Sequence, residues 1–152
     1  MRKSKLATLS IISRKDLLSI LAVVDIAIHA RDGHVSAQAI AASQGLPSRF
    51  FEQVLNHLAH CGILTSYRGK HVGGYRLARA SKLISLADIV RALNEMRESP
   101  HERAQSLIGE RVVIPALAQA ERKLFDALKR ISIQDLVRRA KSLKVTQASD
   151  AS

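Results

Sequence analysis

Residues 46 to 78 read LPSRFFEQVLNHLAHCGILTSYRGKHVGGYRLA, and the fold turns on how this stretch is parsed. Pro47 suits a first helical turn, where its missing N–H removes no hydrogen bond, and Gly45 supplies the break before it. Phe51, Val54, Leu55, Leu58 and Cys61 recur at three- and four-residue steps, which predicts a helix of about four turns with one apolar stripe. The other face carries Ser48, Arg49, Gln53, Asn56, His57 and His60, side chains able to reach base edges and phosphates. Gly62 closes the helix. Residues 63–68 and 75–78 are short strand-like runs on either side of a glycine-rich, basic tip, and together they predict a hairpin. A polar-faced helix followed at once by a basic hairpin is the outline of a winged helix-turn-helix, and its chemistry is that of a protein that grips duplex DNA.

Outward from this core the punctuation is regular. Ser13-Arg14-Lys15-Asp16 has the Ser-x-x-Asp form of a capping box, so a first helix is expected to begin there. Leu17, Leu21, Val24 and Ile28 would line its buried face, with Leu18 and Ala22 beside them, and Asp32-Gly33 would close it. Ser36 caps a short second helix, and Gly45 turns the chain into the long one. Ser85 and Asp88 repeat the capping box before Ile89, Val90 and Leu93. Residues 95–111 are charged and contain Pro100 and Gly109, which reads as a linker. From Val112 a longer helix is expected. Its residues Val113, Leu117, Ala120, Leu124, Ala127 and Ile131 alternate four- and three-residue steps, close to a heptad seam. Such a seam needs a cover, either its own domain or a second copy of the chain, and the second copy is the preferred reading. Ser132 and Asp135 open a last helix to about Ser142.

The chain is thus expected to divide into a winged helix-turn-helix domain over residues 1–94, a linker or sensor-equivalent loop over 95–111, a dimerisation helix and terminal helix over 112–143, and a disordered tail over 144–152. The fold class is mainly α with a two-stranded wing and a long dimerisation helix. Charge supports the placement of the reading surface. The net charge is +11, and residues 1–82 hold twelve Lys/Arg against four Asp/Glu while residues 83–152 hold twelve against nine. The positive excess therefore sits with the putting-together of helix and wing, as expected of a surface that displaces counterions from phosphate.

Several function classes are disfavoured. A single cysteine excludes an intrachain disulfide and an all-cysteine metal site. The basic, partly apolar start of the chain is too short and too interrupted for a signal peptide, and no segment approaches a membrane span, so a cytoplasmic location is expected. The tip Gly69-Lys70-His71-Val72-Gly73-Gly74 could cradle phosphate, but such loops hand over to a helix N-terminus, whereas this one runs into a strand. No nucleophile–base pair has usable spacing, so an enzyme is not expected. Cys61 lies on the apolar stripe and reads as a core residue; a redox switch there would need exposure and a lowered pKa. Glu98, His101 and Glu102 form a weak metal set in a polar loop, and no metal or other cofactor is expected.

The stretch FFEQVLNHLAHCGILTSYRGKHVGGYRLAR, with LISLADIVRAL after it and VSAQAIAASQGLPSRF before it, resembles the BadM/Rrf-type (Rrf-two) regulators, the family of the iron–sulfur cluster regulator and the nitric-oxide-sensitive repressor. The resemblance covers about residues 11–95 well and the later helices loosely. It implies a homodimeric winged-helix transcription factor joined through a long helix. It places Ser48, Arg49, Glu52 and Gln53 at recognition-helix positions and Arg68 at the wing arginine that enters a minor groove. With the basic residues around them, the expected DNA-contacting set is Ser48, Arg49, Gln53, His57, Arg68, Lys70, His71 and Arg76. The dimer set is Val113, Leu117, Ala120, Leu124 and Ile131. The wing is one residue longer than the family's pattern. Cluster-binding relatives carry three cysteines in the segment equivalent to residues 95–111, and this chain has none there, so no iron–sulfur cluster is expected. The expected function is repression from a near-palindromic operator; the rival is a winged-helix interaction module that does not read DNA. An unidentified small effector remains open, and the sequence does not name the signal.

Overall fold

The computed structural model describes residues 11–30, 33–69, 73–97 and 106–143. Lys70 and His71 at the wing tip, the loop bearing Glu98, His101 and Glu102, and the tail from residue 144 lie outside the described residues.

Capping residues set the helix starts. Helix α1 (Arg14–His29) begins at Ser13, whose hydroxyl accepts from the Asp16 N–H while the Asp16 carboxylate accepts from the Ser13 N–H. Ser36 caps α2 (Ala37–Gln44), and Gly45, with φ of 64°, makes the left-handed turn toward α3 (Ser48–His60). That turn is where a residue without Cβ belongs. Strands β1 (Leu64–Arg68) and β2 (Gly73–Leu77) form an antiparallel hairpin in which Leu64 faces Leu77 and Arg68 faces Gly73. A third rung is added by Val35, which exchanges backbone hydrogen bonds with Tyr75 at 2.8 and 2.9 Å. Helices α4 (Leu86–Glu95) and α6 (Ile133–Ser142) both start in capping boxes, at Ser85 and Ser132.

One core serves all of these elements. Phe51, Val54, Leu55 and Leu58 of α3 meet Ala22, Val23 and Ile26 of α1, Ile40 of α2, Leu64 and Tyr75 of the wing, Ile89 and Leu93 of α4 and Ile133 of α6. Fully burying a side chain the size of Phe51 contributes about 2–3 kcal/mol, which is why the α3 stripe governs the arrangement. The apolar stripe expected on α3 is therefore the buried one, except that Cys61 at its end is only partly buried.

Three expectations need correction. The buried face of α1 is Asp16, Ser19, Ala22, Val23 and Ile26, rotated from the expected Leu17/Leu21 line; Leu21 is 38% exposed. Helix α1 is apolar almost all round, so polarity could not choose its face. Its two buried polar side chains find one partner within the helix and one across the fold, while the second Asp16 oxygen, Oδ1, has no partner among the described residues. Ser19 donates to the Lys15 carbonyl at 2.6 Å, and Asp16 receives the Arg97 guanidinium at 2.7 Å. Second, the long helix starts before Val112. Helical structure begins at Leu107, passes through a π-helical turn (Gly109–Val113) and continues as α5 (Ile114–Lys129). Gly109 lowers helix propensity without stopping a helix, and Pro115 follows directly on the π-helical turn without ending the rod. Third, Ile131 is not on that helix. It lies in the connection to α6, where its carbonyl accepts from the Leu86 N–H at 2.9 Å while the Ile133 N–H donates to the Ile84 carbonyl at 2.8 Å.

Helix α5 packs on α4 through its C-terminal half. Leu124, Phe125 and Leu128 are partly buried, and the Arg91 guanidinium sits 5.4 Å from the Phe125 ring centre. The helical segment leading into α5 and its first turn are bare: Leu107, Ile108, Val112, Val113, Ile114 and Leu117 are all exposed. No helix among the described residues is long and apolar enough to cross a membrane.

Candidate nucleic-acid interface

Because α3 buries Phe51, Val54, Leu55 and Leu58, helical geometry turns Arg49, Glu52, Gln53, Asn56 and His60 outward, and all five are exposed. Ser48 is half-buried at the helix start. Arg49 and Gln53 are four residues apart and so stand one above the other on this face. Their donors are the types that reach guanine and adenine edges in a major groove.

The wing flanks this face across a cleft of about 490 Å³, lined by Ser36 and Gln38 at the start of α2, Glu52 and Asn56 of α3, and Tyr67 and Arg68 of β1, among others. The cleft is held open by specific contacts. The Tyr75 hydroxyl donates to the Asn56 side-chain oxygen at 2.9 Å, which ties hairpin to helix. Burial, and secondarily the Glu52 carboxylate, push the Tyr75 phenol above its ordinary pKa, so it remains a donor at neutral pH. Gly74 lets the hairpin lie against the chain before α2: a Cβ placed there would come within 2.7 Å of the His34 Cβ. His34 in turn stacks on Tyr67 with ring centres 4.6 Å apart.

Strand register sorts the basic residues. Residues directly opposite share a face of the hairpin, so Arg68 and Gly73 lie on the side of Ser66 and Tyr75, facing α3. Arg76 pairs with Thr65 on the opposite side and does not line the cleft. Arg68 lines the cleft with Glu52 and Asn56 of α3, while Arg49 and Gln53 stand exposed on the outward face of the same helix, with Ser48 at its start. Arg76 joins neither group. Nor does His57, whose Nε2 lies 2.7 Å from the Ala92 carbonyl of α4 and 3.4 Å from the Cys61 sulfur. Within the expected set His57 is set apart: it sits a quarter-turn round α3 from Arg49, at the α3–α4 contact. Tyr67 and Gln38 were missed, because only the folded hairpin brings them to the cleft.

Cys61 sits with His57 and Glu95, its sulfur 3.6 Å from a Glu95 oxygen. Burial first, and then the Glu95 carboxylate, raise its pKa above the ordinary thiol value. A thiol held protonated in this way is a poor nucleophile, which argues against the redox-switch reading.

Comparison with known proteins agrees with this geometry. Residues 12–139 match the family model Rrf2, described as an iron-dependent transcriptional regulator. A candidate HTH-type transcriptional regulator of Synechocystis sp., slr0846, is 35% identical over 138 residues, covering 90% of this chain and 93% of that protein. The HTH-type transcriptional regulator IscR of Xenorhabdus nematophila is 28% identical over 145 residues, covering 92% and 87%. Among solved structures, T. potens IscR superposes with a TM-score of 0.68 at 28% identity, covering 92% of this chain and 95% of that one. CymR, titled the global cysteine regulator of B. subtilis, gives a TM-score of 0.61 at 26% identity, covering 84% and 96%. With a winged helix-turn-helix in place and the family match spanning most of its length, the chain belongs to the Rrf2 family of DNA-binding transcriptional regulators.

Proposed function

We propose that this regulator acts in the cytoplasm as a homodimeric repressor, binding a near-palindromic operator and obstructing transcription there. The observation that carries the reading is the exposed face of α3 bearing Arg49 and Gln53, flanked by a wing whose Arg68 shares a cleft with Glu52 and Asn56 of the same helix. Two such surfaces, related by a twofold axis, would place two α3 helices in successive major grooves about 34 Å apart. The wings would then lie on flanking backbone or minor groove, with Lys70 and His71 at their tips. The twofold would run beside the bare N-terminal half of the long helix. Val113 and Leu117 are 47% and 64% exposed there, and Ala120 is exposed beside them. Leu124 is partly covered by α4 within the same chain, so the proposed dimer seam is centred nearer Val113 than the heptad count suggests.

The family description is iron-dependent, and a thiolate-held iron–sulfur cluster does not fit this chain. Its single thiol, Cys61, lies at the end of α3 against Glu95, and no second cysteine exists to share a cluster. The proposed repressor therefore works without one.

A genome-wide pull-down of bound fragments, followed by gel shift on the enriched promoters, tests this reading. Retarded fragments sharing an inverted repeat are the expected result. No retarded fragment at low salt would favour the interaction-module alternative.

A further inference from the structure

We propose that His57, Cys61 and Glu95 form a binding site for one divalent cation of the zinc class, joining the last turn of α3 to the last turn of α4. His57 and Cys61 stand four residues apart on one side of the chain as α3 ends, and Glu95 comes from the end of α4. The Cys61 sulfur is 3.4 Å from His57 Nε2 and 3.6 Å from a Glu95 oxygen, and one ligand atom from each residue lies within 4.8 Å of the other two. In a tetrahedral site with metal–sulfur bonds of about 2.3 Å and metal–nitrogen or –oxygen bonds of about 2.0 Å, neighbouring ligand atoms are about 3.5 Å apart. Both sulfur distances already match those edges. The remaining nitrogen–oxygen separation is adjustable, because Glu95 is exposed and its carboxylate is free to swing.

The donor types agree with the geometry. Thiolate, imidazole and carboxylate together suit a borderline cation and give a neutral site once a doubly charged ion replaces the thiol proton. Cys61 and Glu95 line a surface depression of about 160 Å³, whose open side leaves room for water as a fourth ligand. Two arginines line the same depression, yet both are engaged elsewhere: Arg79 pairs with Asp88 at 3.6 Å, and Arg91 lies over Phe125. In the metal-free state the His57 Nε2–H donates to the Ala92 carbonyl and the Cys61 thiol donates to Glu95, with the sulfur 3.4 Å from Nε2. Loading would release the thiol proton to solvent, place the imidazole proton on Nδ1 instead of Nε2, and exchange the Nε2–H contact to Ala92 for the metal bond. Two hydrogen bonds, to Ala92 and to Glu95, are given up for three coordinate bonds. The location also matters, since α3 bears Arg49 and Gln53 while α4 supports α5.

Titration of the metal-stripped full-length protein with Co²⁺, followed by absorption, tests the proposal. The expected result is saturation at one equivalent per chain, with a thiolate-to-cobalt charge-transfer band, tetrahedral-strength visible bands, and displacement of both by Zn²⁺. Cys61→Ser should abolish the charge-transfer band, and Glu95→Gln and His57→Gln should each weaken binding by roughly tenfold or more. Circular dichroism on each variant separates lost binding from lost folding. No charge-transfer band in the wild-type protein, or one of equal affinity in folded Glu95→Gln and His57→Gln, would overturn it. None of these readouts involves DNA, so the site stands or falls independently of the operator-binding reading.

Discussion

Asp16 shows how much of this fold rests on contacts between residues far apart in sequence. Its side chain is 2% exposed and carries a charge, and the Arg97 guanidinium reaches it at 2.7 Å while also donating to Ser13 at 2.8 Å. The capping role of Asp16 was legible from four consecutive residues. Its partner 81 positions away was not, because a lone arginine before a polar loop gives no signal of what it pairs with. Removing Arg97 leaves a buried carboxylate with only its local bonds. We expect Arg97→Ala to cost about 2 kcal/mol, less than for a wholly buried pair because Arg97 is itself 44% exposed. Urea denaturation measures this directly; a loss within experimental scatter would mean that Asp16 is adequately satisfied by Ser13 alone. The same limit applies to His57. Helical spacing put it near the polar face, and only the approach of α4 shows that its ring is taken by Ala92.

At the scale of elements, legibility followed contrast. Helix α3 alternates apolar and polar residues sharply, and its buried stripe could be read from spacing. Helix α1 offers no such contrast, so its face was set by what packs against it. The wing was legible as an element because Gly73-Gly74 punctuates two strand-like runs, and the reason for Gly74 became physical only with His34 beneath it. Gly74→Ala should force the hairpin from that seat. We expect a loss of about 1–3 kcal/mol and a weaker grip on DNA even in the folded fraction, read by thermal melting and by binding at equal folded concentration. The long helix makes a different prediction. From Leu107 to Lys129 it spans about 35 Å, and its exposed apolar residues lie at the end away from the α4 contact. Leu117→Glu should leave the melting of the single chain nearly unchanged, since Leu117 is 64% exposed, but weaken self-association at least tenfold. Sedimentation equilibrium checks it. Unaltered association would move the dimer contact off this helix.

For the whole molecule, electrostatics and symmetry combine. The charge of +11 is concentrated in the half that carries α3 and the wing. If Arg49, Arg68 and Lys70 of each of two protomers meet phosphate or groove, roughly six counterions are released, and log K should fall with log salt at a slope of about −5. A slope near −3 would imply one protomer on DNA, or a different surface. The most direct test of the central claim, that the outward face of α3 reads sequence, is a fluorescence-anisotropy titration of wild-type protein and Arg49→Ala. Both are measured on the strongest genomic fragment and on a scrambled version of equal length. The account predicts that wild type prefers the genomic fragment and that Arg49→Ala loses about 1–3 kcal/mol of that preference while keeping most of its affinity for scrambled DNA. Equal discrimination by the two proteins would contradict it.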